Sequence, residues 1–82
     1  MSTKDLLQYM VLSIVDNVEH VNIEEFEDSK GLNFKVAVAK DDVGKLIGTQ
    51  GRIARAIRTV MKAAGAKKGI RILINVDKTP LS

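Results

Sequence analysis

Apolar and polar positions along the chain fall into a helical stripe, two alternating runs, a second helical stripe and a final alternating run. In STKDLLQYMVLSIVDN, Leu6, Leu7, Met10, Val11, Ile14 and Val15 recur at four-residue spacing, which places them on one face of a helix. Ser2 or Thr3 is positioned to cap that helix, and Asp5 in its first turn suits the helix dipole. Tyr9 and Leu12 fall off the stripe, as scattered surface residues or as part of a partner contact. HVNIEEFED carries Val21, Ile23 and Phe26; the change of parity between Ile23 and Phe26 predicts a bulge or an irregular strand start. SKG then supplies a turn, and LNFKVAVAK alternates with Leu32, Phe34, Val36 and Val38 on one face. These two runs predict an antiparallel hairpin with one buried side.

Asp41 or Asp42 is an expected N-cap for a short helix over VGKLI, and Gly48 is expected to end it in a left-handed conformation. A further helix is predicted from about Gly51 to Ala66. At 100° per residue, Ile53, Ile57, Val60, Met61 and Ala64 gather on one side, and Arg52, Arg55, Arg58 and Lys62 spread over the opposite arc. Lys67 and Lys68 place cations at its negative end. GIRILINV reads as the last strand, with Ile70, Ile72, Ile74 and Val76 alternating, and residues 78–82 read as a flexible tail because Pro80 resists continuing a ladder. The order is α-β-β-α-α-β. A right-handed crossover through two helices makes the second and third strands parallel if they are neighbours. The fold class is therefore α+β, a mixed three-stranded sheet packed on three helices.

Composition narrows the chemistry. Eighty-two residues fit one domain, and the lack of cysteine removes disulfides and thiolate metal sites. His20 is the only histidine, so no multi-histidine metal site forms, and no metal or other cofactor is expected. No apolar run approaches the ~20 residues of a membrane span, and the N-terminus lacks the basic-then-apolar order of a signal peptide, so a cytoplasmic location is expected. Charge is segregated: residues 1–31 hold Lys4 and Lys30 against seven carboxylates (−5), and residues 32–82 hold eleven Lys and Arg against Asp41, Asp42 and Asp77 (+8). Either a polyanion meets the basic part, or the charges are ordinary solvated surface.

The stretch KLIGTQGRIARAIR carries the candidate chemistry. A helix that starts at the Gly48–Gly51 loop presents unpaired amides and about half an elementary charge. The amides of Gln50, Gly51 and Arg52 are the expected cradle for a phosphate, with Lys45 and Arg52 flanking it. A helical corner that needs flexible residues reads equally well from the loop alone. Nucleotide-dependent enzymes are excluded on motif grounds: no G-x-x-x-x-G-K-S/T is present, and Gly44, Gly48 and Gly51 do not make G-x-G-x-x-G.

The lead-in Val43-Gly44-Lys45-Leu46-Ile47, the loop Gly48-Thr49-Gln50-Gly51 and the follow-on Arg52-Ile53, set in the α-β-β-α-α-β order, resemble the G-x-x-G signature of type II KH domains. The resemblance covers residues 3–77 and is nearest to the KhpA family of small stand-alone bacterial KH proteins. It implies a non-catalytic protein that binds single-stranded RNA, an RNA chaperone or post-transcriptional regulator linked to cell elongation and envelope homeostasis. It also implies a homodimer, or a pair with a larger KH-containing protein of the KhpB type (also called Jag or EloR). The implied contacts are Lys45, Ile47, Gly48, Thr49, Gln50, Gly51, Arg52, Arg55 and Arg71. The loop departs from the family's frequent basic residue, since its tip is Thr49-Gln50, so affinity is expected to lean on Lys45, Arg52 and Arg55. The aromatic residues, Tyr9, Phe26 and Phe34, all lie away from the loop, which argues against a stacking platform of the RNA-recognition-motif or cold-shock kind. The competing reading is a protein-pairing module with weak or vestigial RNA binding, motivated by Tyr9, Leu12 and the uncharged loop tip.

Overall fold

Ser2 opens the first helix, α1 (Thr3–Ile14), through a capping box: its hydroxyl accepts the Asp5 amide at 3.1 Å while the Asp5 carboxylate accepts the Ser2 amide at 3.5 Å. The computed structural model describes residues 2–77, so the tail expected at 78–82 lies outside the described residues. Leu7, Val11 and Val15 carry the buried edge of the α1 stripe. Strands β1 (Asn22–Asp28) and β2 (Gly31–Ala37) pair antiparallel in unbroken register from Asn22↔Ala37 to Asp28↔Gly31. The expected bulge is therefore absent. Phe26 pairs with Asn33 and points away from the helices, 49% exposed, because alternation puts it on the opposite face from Ile23. The turn is fixed by Asp28, whose carboxylate accepts the amides of Lys30 (2.9 Å) and Gly31 (3.2 Å). Those bonds, the Lys30 amide first, hold its carboxyl below the usual range.

Strand β3 (Ile72–Val76) lies parallel to β2, from Leu32↔Ile72 to Val36↔Val76, and the sheet order is β1-β2-β3. This is the mixed sheet and the α-β-β-α-α-β order of a type II KH fold. Ile70 falls outside the strand and is 40% exposed, so it does not join the alternating core face expected of it. Phe34, Val36 and Val38 fill the centre between α1 and the other two helices, α2 (Lys40–Ile47) and α3 (Arg52–Lys67).

Helix α2 starts one residue before the expected aspartates, with Ala39 as N-cap and no side-chain cap bond. Asp42 is fully buried and serves another element. Its carboxylate accepts the amides of Asp16 (3.2 Å) and Asn17 (2.9 Å) and the Asn17 side-chain amide (3.1 Å), closing the end of the α1 segment.

On α3 the buried line is Ala54, Ile57, Met61 and Gly65. Small residues at its two ends let the helix sit close to the sheet: a Cβ at Gly65 would come within 2.6 Å of the Ile70 carbonyl oxygen. Ile53 and Val60, expected on the core side, are 37% and 43% exposed. They share the neighbouring stripe, seven residues apart, and line the gap between α3 and α1 instead.

Candidate functional site

The turn from α2 to α3 is built from glycine and one strained residue. The α2 helix ends at Gly48, whose amide donates to the Gly44 carbonyl at 2.8 Å. Its φ of 77° and ψ of 173° give a positive φ with an extended ψ, rather than the left-handed helical conformation expected. A 3-10 turn over Thr49–Gly51 follows, in which Gln50 takes φ 57°, ψ 26° and Gly51 takes φ 74°, ψ 16°. Gln50 is the only described non-glycine residue with positive φ. Strain of this kind at a loop tip is a recurring mark of ligand-binding segments.

The amide cradle differs from the expected one. The Gly51 amide donates to the Gly48 carbonyl at 3.1 Å and the Arg52 amide to the Thr49 carbonyl, so two of the three expected donors are closed inward. The reason is local: the 3-10 turn that links the helices consumes the amides that an abrupt helix start would have left open. The amides of Thr49 and Gln50 are left without a backbone partner, at the exposed tip of the loop. No side chain caps the start of α3, so its positive end also faces the loop.

The flanking side chains divide into three groups. Arg52 and Arg55 are exposed, and Ile47 is half-buried outside the main core cluster. Lys45 forms an ion pair with Asp16 at the end of α1, which raises its pKa; that hydrogen bond is the main cause, with the charges of Asp16, Asp42 and Asp41 adding to it. The pair is solvent-exposed on both sides, so Lys45 is held near the loop without being locked away from an incoming anion. Arg58, in the expected basic arc, instead lays its Nε against the Ile74 carbonyl at 3.3 Å and ties α3 to the edge of the sheet. Ile72 is plain core, 2% exposed.

Arg71 is not brought to the loop. It directly precedes β3, with its carbonyl accepting the Leu32 amide at 2.8 Å, next to the C-terminal end of α3. Thirteen helical residues separate Arg52 from Gly65, which abuts Ile70 and Ile72, so Arg71 stands roughly 20 Å from the loop.

Sequence reasoning also missed a groove of about 310 Å³ between α1 and α3, whose exposed apolar lining is Tyr9, Ile53 and Val60. Leu12, the other residue off the α1 stripe, is half-buried and does not line it. The signal was the i, i+7 spacing of Ile53 and Val60, hidden because both sit beside genuine core positions. Among the described residues no helix is long and apolar enough to cross a membrane.

Comparison with known proteins places this geometry. The family described as KhpA/KhpB, KH domain, matches residues 4–76. The chain is 41% identical over 73 residues to an RNA-binding protein KhpA from Clostridium acetobutylicum, covering 89% of this chain and 97% of that protein. It is 38% identical over 73 residues to an RNA-binding protein KhpA from Aquifex aeolicus, covering 89% and 92%. No solved structure gives a match.

Proposed function

This chain belongs to the KhpA/KhpB family of KH domains, and from that premise we propose that it is an RNA-binding protein that grips single-stranded RNA at the Gly48–Gly51 loop. The observation that carries the reading is the exposed loop tip. The amides of Thr49 and Gln50 stand there unpaired, at the uncapped start of a helix that opens with Arg52 and Arg55. In this reading those amides and the two arginines hold phosphates, Lys45 exchanges its exposed carboxylate partner for a phosphate, and Ile47 offers an aliphatic surface to a base. Gly48 and Gly51 shape the loop. The role is non-catalytic and cytoplasmic, that of an RNA chaperone or post-transcriptional regulator connected with cell elongation and envelope homeostasis, working as a homodimer or with a KhpB-like partner.

The test is a double substitution, Thr49→Asp with Gln50→Asp. Aspartate tolerates the left-handed backbone at position 50, so the fold should survive. RNA retention in a filter-binding or polarisation assay should fall below detection while thermal unfolding stays within a few degrees of the parent. A folded variant that still retains RNA removes the loop from the mechanism.

The groove between α1 and α3 favours a second reading, in which pairing is the main work. Tyr9 is 66% exposed there and Val60 43%, an apolar surface without a partner in the monomer. On this reading Val60→Glu converts a dimer to a monomer in gel filtration, at low and high salt alike, because apolar association is not screened as phosphate binding is. An unchanged elution volume excludes that side as the interface.

A further inference from the structure

At the end of α3 remote from the loop lies a second basic surface. Residues 62–71 contain Lys62, Lys67, Lys68 and Arg71 and no carboxylate. All four side chains are exposed, and none has an ion-pair partner among the described residues. The carboxylate of Asp28, in the hairpin turn that adjoins Arg71, is turned onto the amides of Lys30 and Gly31. Lys62 and Arg71 line a groove of about 360 Å³ between α3 and β3, floored by Ile70 and Leu73. Ile70 is 40% exposed, an apolar surface set among cations. Cations around an aliphatic floor match the alternation of phosphate and base in a single strand, and like charges held together without counter-ions favour an anionic occupant.

The groove is also continuous with the loop. Arg55, Arg58 and Lys62 follow one another at three- and four-residue steps along one face of α3, and Arg58 touches the β3 edge at the Ile74 carbonyl. We propose that the Lys62–Arg71 groove is a second contact for the RNA strand held by the loop, so that one strand runs along α3 and the edge of β3 for roughly 20 Å. This rests on the RNA-binding reading above and deepens it: the site selects for strand length. An RNA that fills the loop alone gains nothing from this groove, whereas a longer strand engages both ends and gains the avidity of two linked contacts.

The test compares a tetranucleotide with a dodecanucleotide of uridine, titrated by NMR against the parent chain and a Lys62→Gln/Arg71→Gln variant, at several salt concentrations. Both substituted side chains are exposed, so the fold is retained. The dodecamer should bind the variant about tenfold more weakly than the parent, with a shallower salt dependence, by about 1.4 in the log–log slope for two lost phosphate contacts. The tetramer should bind both proteins alike and leave the Lys62 and Ile70 amide shifts unmoved. Equal binding of the dodecamer to both proteins, or an equal loss for both lengths, overturns the second contact while the loop reading stands. A parent chain that binds neither oligomer overturns both.

Discussion

Gly48→Ala should lower the melting temperature by roughly 10–20 °C, the largest effect expected of any single methyl group in the loop. At φ 77°, ψ 173° the residue occupies a region that is essentially glycine-only, where a side chain costs about 1–3 kcal/mol before any collision is counted. The added Cβ would also lie 2.9 Å from both the backbone nitrogen and the Cβ of Ile53, and nearer still to its Cγ1. Ile53 cannot simply swing aside, because its own backbone is part of the approach. Strain and overlap together reach about 3 kcal/mol, a large share of the ~4–12 kcal/mol that holds a domain of this length. Gly51→Ala is the control. Gly51 is also left-handed, at φ 74°, but nothing lies within 4 Å of a Cβ built there. It should cost about 1 kcal/mol, and Gly51→Asn less still. Thermal melts of the two alanine variants should separate clearly; equal melting temperatures would mean that the turn relaxes around Gly48 and does not depend on it.

That contrast bears on what could be read from the sequence. Both glycines are visible as glycines, and the loop between two helices follows from them. Which one is irreplaceable depends on where Ile53 returns, a tertiary fact. The elements themselves were legible because their signals are local. The four-residue stripe from Leu6 to Val15, the alternation from Leu32 to Val38 and the cap at Ser2 each report on their own segment. Parallel pairing of β2 with β3 followed from the handedness of a crossover, so even the sheet order was within reach.

Misreadings arose where two neighbouring faces compete. Phe26 suggested a bulge only because a large apolar residue was assumed to face the core, yet regular alternation exposes it. Ile53 and Val60 lie one stripe away from Ile57 and Met61, and a helical wheel cannot tell which stripe meets the sheet and which meets α1. The loop amides could be counted from the sequence, but their partners could not: whether a linking turn is 3-10 or open decides if Gly51 and Arg52 donate inward. Arg71 shows the same limit at longer range. Its place in the chain puts it before a strand, and only the packing of α3 on that strand sets it far from the loop.

Asp42 is the residue whose work was least legible, and its removal should be the most damaging change outside the loop and the apolar core. Any reader of DDVGKLI assigns it to the start of α2, where aspartate is common. Its partners are instead the amides of Asp16 and Asn17, 26 and 25 residues earlier, which no local pattern can reveal. Asp42→Ala would leave those donors facing a void, and the melting temperature should drop by about 10 °C or more. Asp42→Asn is the more informative variant, because it keeps the shape and removes the charge. In the folded chain the Asn17 amide, followed by the Asp16 amide and the Asn17 side chain, holds the Asp42 pKa below its ordinary value. A depressed carboxylate stabilises the fold fully above its unfolded pKa, about 4, and that contribution is lost as the pH falls through the folded value. The melting-temperature gap between the parent and Asp42→Asn should therefore be constant from about pH 8 to about pH 5 and narrow below about pH 4. Asp28 is depressed in the same sense, but it is present in both proteins and cancels in the difference. A gap that stays open to the most acidic pH at which both chains still fold would mean that shape, and not charge, is what Asp42 contributes to the joint between α1 and α2.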